Sequence, residues 1–192
     1  MAHAARLFVT ACWIVLCLYW LIAARSAKKA VRTGPRWTGP WLRFALVVAV
    51  IVIVDVSFGT QRFAAARRIV LVRSPSLAVP GALLALAGVA LAIWARVSIG
   101  RNWGMPMSLR EGHELVTAGP YARLRHPIYS GILLTMLGSA LAQGTGWLMA
   151  LIIYGAYFVW SARIEERDMT GRFPTVYPAY RERTWMLVPF VL

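Results

Sequence analysis

Two short stretches hold the residues able to do chemistry. The first, Gly119-Pro-Tyr-Ala-Arg-Leu-Arg-His-Pro-Ile-Tyr-Ser-Gly131, sets Arg125 and His126 between Tyr121 and Tyr129, at the start of an apolar run. The second is the pair Glu165 and Glu166 near the end of that run. Such a set suits a ligand carrying both charges. A guanidinium and an imidazole receive a carboxylate, while tyrosine faces and carboxylates attract a soft cation. Pro127 suits the first turn of a helix, which leaves Arg125 and His126 at its N-terminal end, where free amides favour anions. Tyr177 and Tyr180, three apart, can close over a ligand from one side. A Cys/His metal cluster, a G-x-S-x-G elbow and a phosphate loop are all missing from the text, so hydrolase and metalloenzyme readings lack their parts.

The frame that must position these residues is apolar. Leu7 to Ala24, Trp41 to Phe58 and Leu77 to Val97 each approach the ~20 residues needed to cross a hydrocarbon core. A fourth run, Ile128 to Trp160, is broken by Gln143-Gly-Thr-Gly146 and predicts a helical hairpin, for about five helices in all. Each hairpin arm is about 15 residues, or roughly 22 Å at helical rise, which is short for a full span. Ser161 to Gly171 is expected to continue as helix out of the membrane, with Arg163, Glu166 and Arg167 at contact spacing. Phe173-Pro-Thr-Val-Tyr-Pro-Ala-Tyr180 reads as a compact aromatic turn. The polar text leading from Gly100 to Tyr121 reads as a cytoplasmic connection folded against the membrane domain.

A chain of 192 residues, 59% hydrophobic and with mean hydropathy +0.62, has room for one domain and far more apolar content than a soluble globule needs. The expectation is an all-α integral membrane bundle, residues 1–97 forming a three-helix scaffold and residues 98–192 the chemical part. Acids divide it the same way, since six of the seven Asp/Glu lie at or beyond Glu111; the exception, Asp55, falls inside the second run. The net charge of +14 fits membrane orientation and anionic headgroups rather than nucleic acid. Five Lys/Arg between Arg25 and Pro40 put that loop, and with it the site, on the cytoplasmic side. The loop Gly59 to Ser76, with four arginines, runs against this orientation. Cys12 and Cys17, in the first helix, read as small apolar fillers. Asn102 and Trp103 read as structural or interfacial, and Trp185 and Phe190 as members of an interfacial aromatic belt.

The pattern His113-Glu-Leu-Val-Thr-Ala-Gly-Pro-Tyr121, then Arg125-His-Pro-Ile-Tyr-Ser-Gly131, then Glu165-Glu166 with Phe173, Tyr177 and Tyr180 resembles the isoprenylcysteine carboxyl methyltransferase family and its phospholipid methyltransferase relatives. The resemblance covers roughly residues 96 to 190. It implies a membrane enzyme using S-adenosyl-L-methionine without a Rossmann domain. It also implies that His113, Leu115, Val116, Tyr121, Arg125, His126, Pro127, Tyr129, Glu165 and Glu166 line the cofactor site, with Tyr177 and Tyr180 beside the substrate. Two positions depart from the family pattern: Phe173-Pro174 stands where relatives usually have Phe-Gly, and Ser161 stands where an arginine usually precedes the acidic pair, with Arg163 close enough to compensate.

Methyl transfer from a sulfonium needs alignment and exclusion of water more than catalytic groups. A carboxylate acceptor is already ionised at neutral pH and needs only an arginine to aim it, Arg96 or Arg163. An amine or thiol must lose a proton, for which Glu166 or His126 is the first base to consider. The expected acceptor is a lipid or small hydrophobic molecule in a bacterial inner membrane, with carboxyl methylation ahead of phospholipid amine methylation. A nicotinamide-dependent reductase of the sterol-reductase type is the rival arrangement, and Ile128 and Ser130 depart from its pattern. A non-catalytic lipid-binding protein is the other.

Overall fold

The computed structural model describes residues 1–23, 30–32, 74–103, 109–110 and 114–190. Helix α1 spans Ala2–Ala23, α2 Ala78–Ile99, α3 Pro127–Gln143, α4 Gly146–Arg172 and α5 Val176–Glu182. Strands β1 (Ala30–Arg32) and β2 (Leu109–Arg110) form one short antiparallel pair, so the described part is almost entirely helical. The expected helix at Trp41 to Phe58, Asp55 within it, and nearly all of the basic Gly59 to Ser76 loop lie outside the described residues. Three helices are long and apolar enough to cross a membrane: α1, α2 with its leading turn from Pro75, and α4. The protein is an all-α integral membrane bundle.

Helices α2 and α3 make the closest pair, and small residues are the reason. Gly81, Gly88, Ala85 and Ala92 of α2 meet Gly131, Gly138, Thr135 and Ala142 of α3. A Cβ built on Gly88 would sit 2.5 Å from the Thr135 nitrogen and 2.6 Å from the Gly131 carbonyl, so backbone touches backbone there. Lipid offers no hydrophobic drive for helix association, and this approach supplies dispersion contacts in its place. Polar links add to it: Trp13 Nε1 of α1 donates to Ser139 Oγ at 2.9 Å, and the Trp13 ring stacks on Trp147 at 5.4 Å. Cys12 and Cys17 are both free.

The hairpin between α3 and α4 turns at Gly144, whose φ of 129° only glycine adopts easily, while its N–H caps Ala140. Its arms run 17 and 27 residues, the second including the expected continuation of the helix from Ser161 to Gly171. The second gains its length because it runs straight from its apolar half into the charged stretch Arg163–Arg172, ending before Phe173-Pro174, where proline resists a further turn. Leu148, Met149, Ile152, Ile153 and Trp160 are exposed along the apolar half, as lipid-facing residues are. The expected aromatic turn is instead the short helix α5 from Val176, led by a bend at Phe173 to Thr175.

Candidate functional site

Everything chemical gathers where α3 begins. A single 3-10 turn, Gly119–Ala122, buries Pro120 and Tyr121, and Pro127 opens α3 at its first position with His126 as the preceding cap residue. The intervening strand-like segment is held by the chain's last part. Trp185 N–H donates to the Arg123 carbonyl at 3.0 Å, Arg125 N–H to Trp185 at 2.8 Å, and His126 N–H to Met186 at 3.1 Å. Ser130 Oγ adds a bond to the Leu187 carbonyl at 2.5 Å. Residues 184–187 therefore strap the start of α3, which satisfies backbone groups that no helix supplies with partners.

Helix α4 brings the carboxylates. Ser161, Ala162, Glu165 and Glu166 recur at four-residue spacing and share one face. Arg125 Nε donates to Glu166 Oε1 at 2.6 Å. Its Nη1 bonds the carbonyls of Arg181, at 3.1 Å, and Thr184. Arg125 thus ties together α3, α4, α5 and the strap. The second oxygen of Glu166 lies 3.5 Å from Arg181 Nε, an exposed group. Glu165 is more accessible, its side chain 25% exposed against 7% for Glu166. Its Oε1 accepts bonds from Tyr129 OH at 2.6 Å and Ser161 Oγ at 3.1 Å.

His126 stands between the two acids, Nδ1 3.5 Å from Glu165 Oε2 and Nε2 3.5 Å from Glu166 Oε1. Nε2 is buried and makes no hydrogen bond of good geometry among the described residues. Its ring is parallel to Tyr129 at 5.4 Å, and Tyr129 stacks on Phe158 at 4.5 Å, so three flat rings run from the acids into the bundle. Tyr121, Tyr177 and Tyr180 are buried around this centre. Burial, then Tyr180 and Glu165, holds the Tyr121 phenol far above its ordinary range. Burial, then Glu166, does the same for Tyr177. Tyr180 is pushed up to about 12, by burial first. All three stay protonated at neutral pH, and Tyr180 donates its hydroxyl proton to the Tyr121 carbonyl.

Most residues expected at the site from the sequence meet here: Tyr121, Arg125, His126, Pro127, Tyr129, Glu165 and Glu166. Val116 packs on the same apolar cluster and Leu115 precedes it, half-buried. His113 lies outside the described residues. Tyr177 and Tyr180 are buried at the edge of each other's rings, 5.9 Å apart, and Tyr180 OH is bonded to the Tyr121 carbonyl at 2.7 Å. They form a packed wall where the sequence suggested a closing flap. Arg163 is exposed and takes no part in the carboxylate cluster's bonds among the described residues. Arg96 is buried at 3% exposure, its Nη1 on the Gly100 carbonyl at 2.7 Å and its Nη2 on Ala23 at 2.6 Å, with its guanidinium over Trp103 at 4.8 Å. It caps the C-terminal ends of α1 and α2, where a cation is favoured. The sequence reading passed over Thr184, Arg181 and the strap, because bonds to backbone carbonyls leave no residue-type signature.

The model of a family described as phospholipid methyltransferase matches residues 77–175, slightly more than half of the chain. The match takes in α2, the start of α3 and both glutamates, and stops before α5. Protein-S-isoprenylcysteine O-methyltransferase B of Arabidopsis thaliana is 30% identical over 115 residues, covering 58% of each chain. Cobalt-zinc-cadmium resistance protein CzcN of Cupriavidus metallidurans is 32% identical over 109 residues, 55% of this chain and 48% of that one. Methanethiol S-methyltransferase 2 of Bradyrhizobium diazoefficiens is 36% identical over 78 residues, 41% of this chain and 30% of that one. The matched part is thus less than two thirds of each of these relatives' own length.

Proposed function

This chain belongs to the phospholipid methyltransferase family, and on that premise we propose that it transfers a methyl group from S-adenosyl-L-methionine to a lipid-like or small hydrophobic acceptor. The observation that carries the reading is His126 held between Glu165 and Glu166 on a stack of aromatic rings, at the mouth of a lipid-facing bundle.

The residues fit such a cofactor. Two carboxylates and the faces of Tyr121 and Tyr129 suit its sulfonium and ammonium cations, and His126 Nε2, a buried atom lacking a hydrogen bond among the described residues, suits an anionic or polar group. The first-turn amides of α3 favour the cofactor's carboxylate. Leu115 and Val116 supply apolar cover. Bound there, S-adenosyl-L-methionine supplies an electrophilic methyl on a positively charged sulfur. The chain's own contribution is placement. Arg125 fixes Glu166 and the strap, Ser161 and Tyr129 fix Glu165, and the apolar cluster of Trp103, Ile128 and Phe158 keeps water from the inner side. The exposed apolar face of α4 suits an acceptor arriving from the bilayer, and the basic connections suit a site facing the cytoplasm.

Calorimetric titration of detergent-purified protein with S-adenosyl-L-methionine and S-adenosylhomocysteine tests this, with NADPH as control. Saturable binding of both methyl-cycle ligands, weakened in His126→Ala, is expected. Binding of NADPH in their place would replace the reading with a reductase, and binding of none would leave a lipid-binding membrane protein.

A further inference from the structure

Helix α4 marks where the bilayer ends. Its exposed apolar side chains run from Leu148 to Trp160, and Arg163 and Arg167, both exposed, follow next. The start of α3 is fixed at that level, because the Tyr129 ring stacks on Phe158 at 4.5 Å and its hydroxyl lies 3.4 Å from Ser161 Oγ. Ser130, the next residue, holds the Leu187 carbonyl at 2.5 Å. Leu187 therefore sits at the bilayer's edge. The strap reaches it heading toward the lipid. It lies parallel to the segment before α3 at the Leu124–Trp185 bridge, and the carbonyls of Trp185, Met186 and Leu187 are taken in order by Arg125, His126 and Ser130. That is the direction in which α3 enters the bundle. Val188, Pro189 and Phe190 come next and are all exposed, Phe190 at 87%. The Phe190 ring meets Trp185 at 4.6 Å, so these residues form a hook that presents two aromatic rings.

Charge completes the pattern. Arg123, Arg181 and Arg183 are exposed, and Glu182 is the single acid among residues 176–190. Arg181 also faces Glu166 at 3.5 Å. Arg123 and Arg183 start beside the hook: the Arg123 carbonyl accepts the Trp185 N–H at 3.0 Å, and Arg183 stands two residues before Trp185. We propose that residues 183–190, with Arg123, form a docking element for anionic phospholipid. Val188, Pro189 and Phe190 sit at the boundary of headgroups and acyl chains, and Arg123 and Arg183 hold the phosphates of anionic headgroups above them. A zwitterionic headgroup brings its own ammonium, which opposes the arginines; an anionic one does not. Docking of this kind uses neither cofactor nor acceptor. Its consequence for the site is mechanical, since the strap that it seats carries the backbone bonds of Arg125 and His126.

Two measurements on the full chain test this. In nanodiscs of mixed phosphatidylcholine and phosphatidylglycerol, a nitroxide on Val188→Cys, in a Cys12→Ala and Cys17→Ala background, is read by its collisions with oxygen and with a water-soluble nickel chelate. It is expected to prefer oxygen, and to reverse that preference when Phe190→Asp is added. A nitroxide on Glu182→Cys should prefer the chelate throughout. The second measurement keeps the native cysteines and reads, by native mass spectrometry, the lipid retained from detergent holding both phospholipids in equal amounts. Phosphatidylglycerol should be retained over phosphatidylcholine by at least about 10-fold, and most of that preference should vanish in Arg123→Gln/Arg183→Gln, whose helicity should match wild type. Arg163→Gln/Arg167→Gln removes the same charge from α4 and should lose much less. A Val188 label that prefers the chelate, equal retention of the two lipids, or equal loss in the two double variants would each overturn the proposal. All three outcomes are read without S-adenosyl-L-methionine, so they are distinct from a failure of the methyltransferase reading.

Discussion

Arg125 looked, from its type and its place beside a helix start, like a receptor for a ligand's carboxylate, yet its bonds go to Glu166 and to backbone carbonyls of the strap. Its removal leaves a buried carboxylate without its main partner, which costs on the order of 3–5 kcal/mol. Arg125→Ala should therefore lower the denaturation midpoint in detergent as well as cofactor affinity, whereas His126→Ala should lower affinity with little change in the midpoint. Equal midpoints for the two variants would show that Arg125 is no tether. Residue type alone could not separate these roles, since a guanidinium serves a ligand, a carboxylate or a carbonyl equally well. Glu165 and Glu166 were similarly legible as a pair and illegible as individuals. One is sequestered and the other reachable because α4 turns about 100° between them.

Helix α5 and the turn at Gly119–Ala122 are joined by the Tyr180 bond to the Tyr121 carbonyl. Tyr180→Phe should cost about 1 kcal/mol, the usual net worth of such a bond. The same pair sets an alkaline limit. Tyr180 titrates near 12 in the folded protein against about 10 in an unfolded chain, so the folded state holds the proton more tightly. Its stabilisation is complete below pH 10 and falls as pH rises from there toward 12. Melting curves from pH 9 to 12 should show a steeper decline for wild type than for Tyr180→Phe. The α2–α3 pair has the opposite sensitivity, to volume: Gly88→Val should destabilise by about 1–3 kcal/mol, because it would meet the Thr135 nitrogen and Gly131 carbonyl, backbone atoms that cannot turn aside, as well as the Thr135 hydroxyl. Thermal melts of that variant, monitored by helicity, should show it.

At the scale of the molecule, the strap makes the end of the described chain part of the site, although the family match stops at residue 175. Truncation after Arg172 should abolish S-adenosyl-L-methionine binding in calorimetry while circular dichroism retains the helicity of α1 to α3, whose core lies apart from the strap. What the sequence determined by itself was everything local or averaged: apolar runs at helical length, the Pro127 helix start, the hairpin break at Gly144, and the types of residue gathered near Arg125 and Glu166. Periodicity, proline and glycine carry those signals within a few neighbours. Only the tertiary structure decided which arginine is a cap, which a tether and which is exposed, that Tyr177 and Tyr180 form a wall, and that Ser161 leans on Glu165. Those assignments depend on side chains and carbonyls brought together from distant parts of the chain, and a backbone carbonyl looks the same at every position of a sequence.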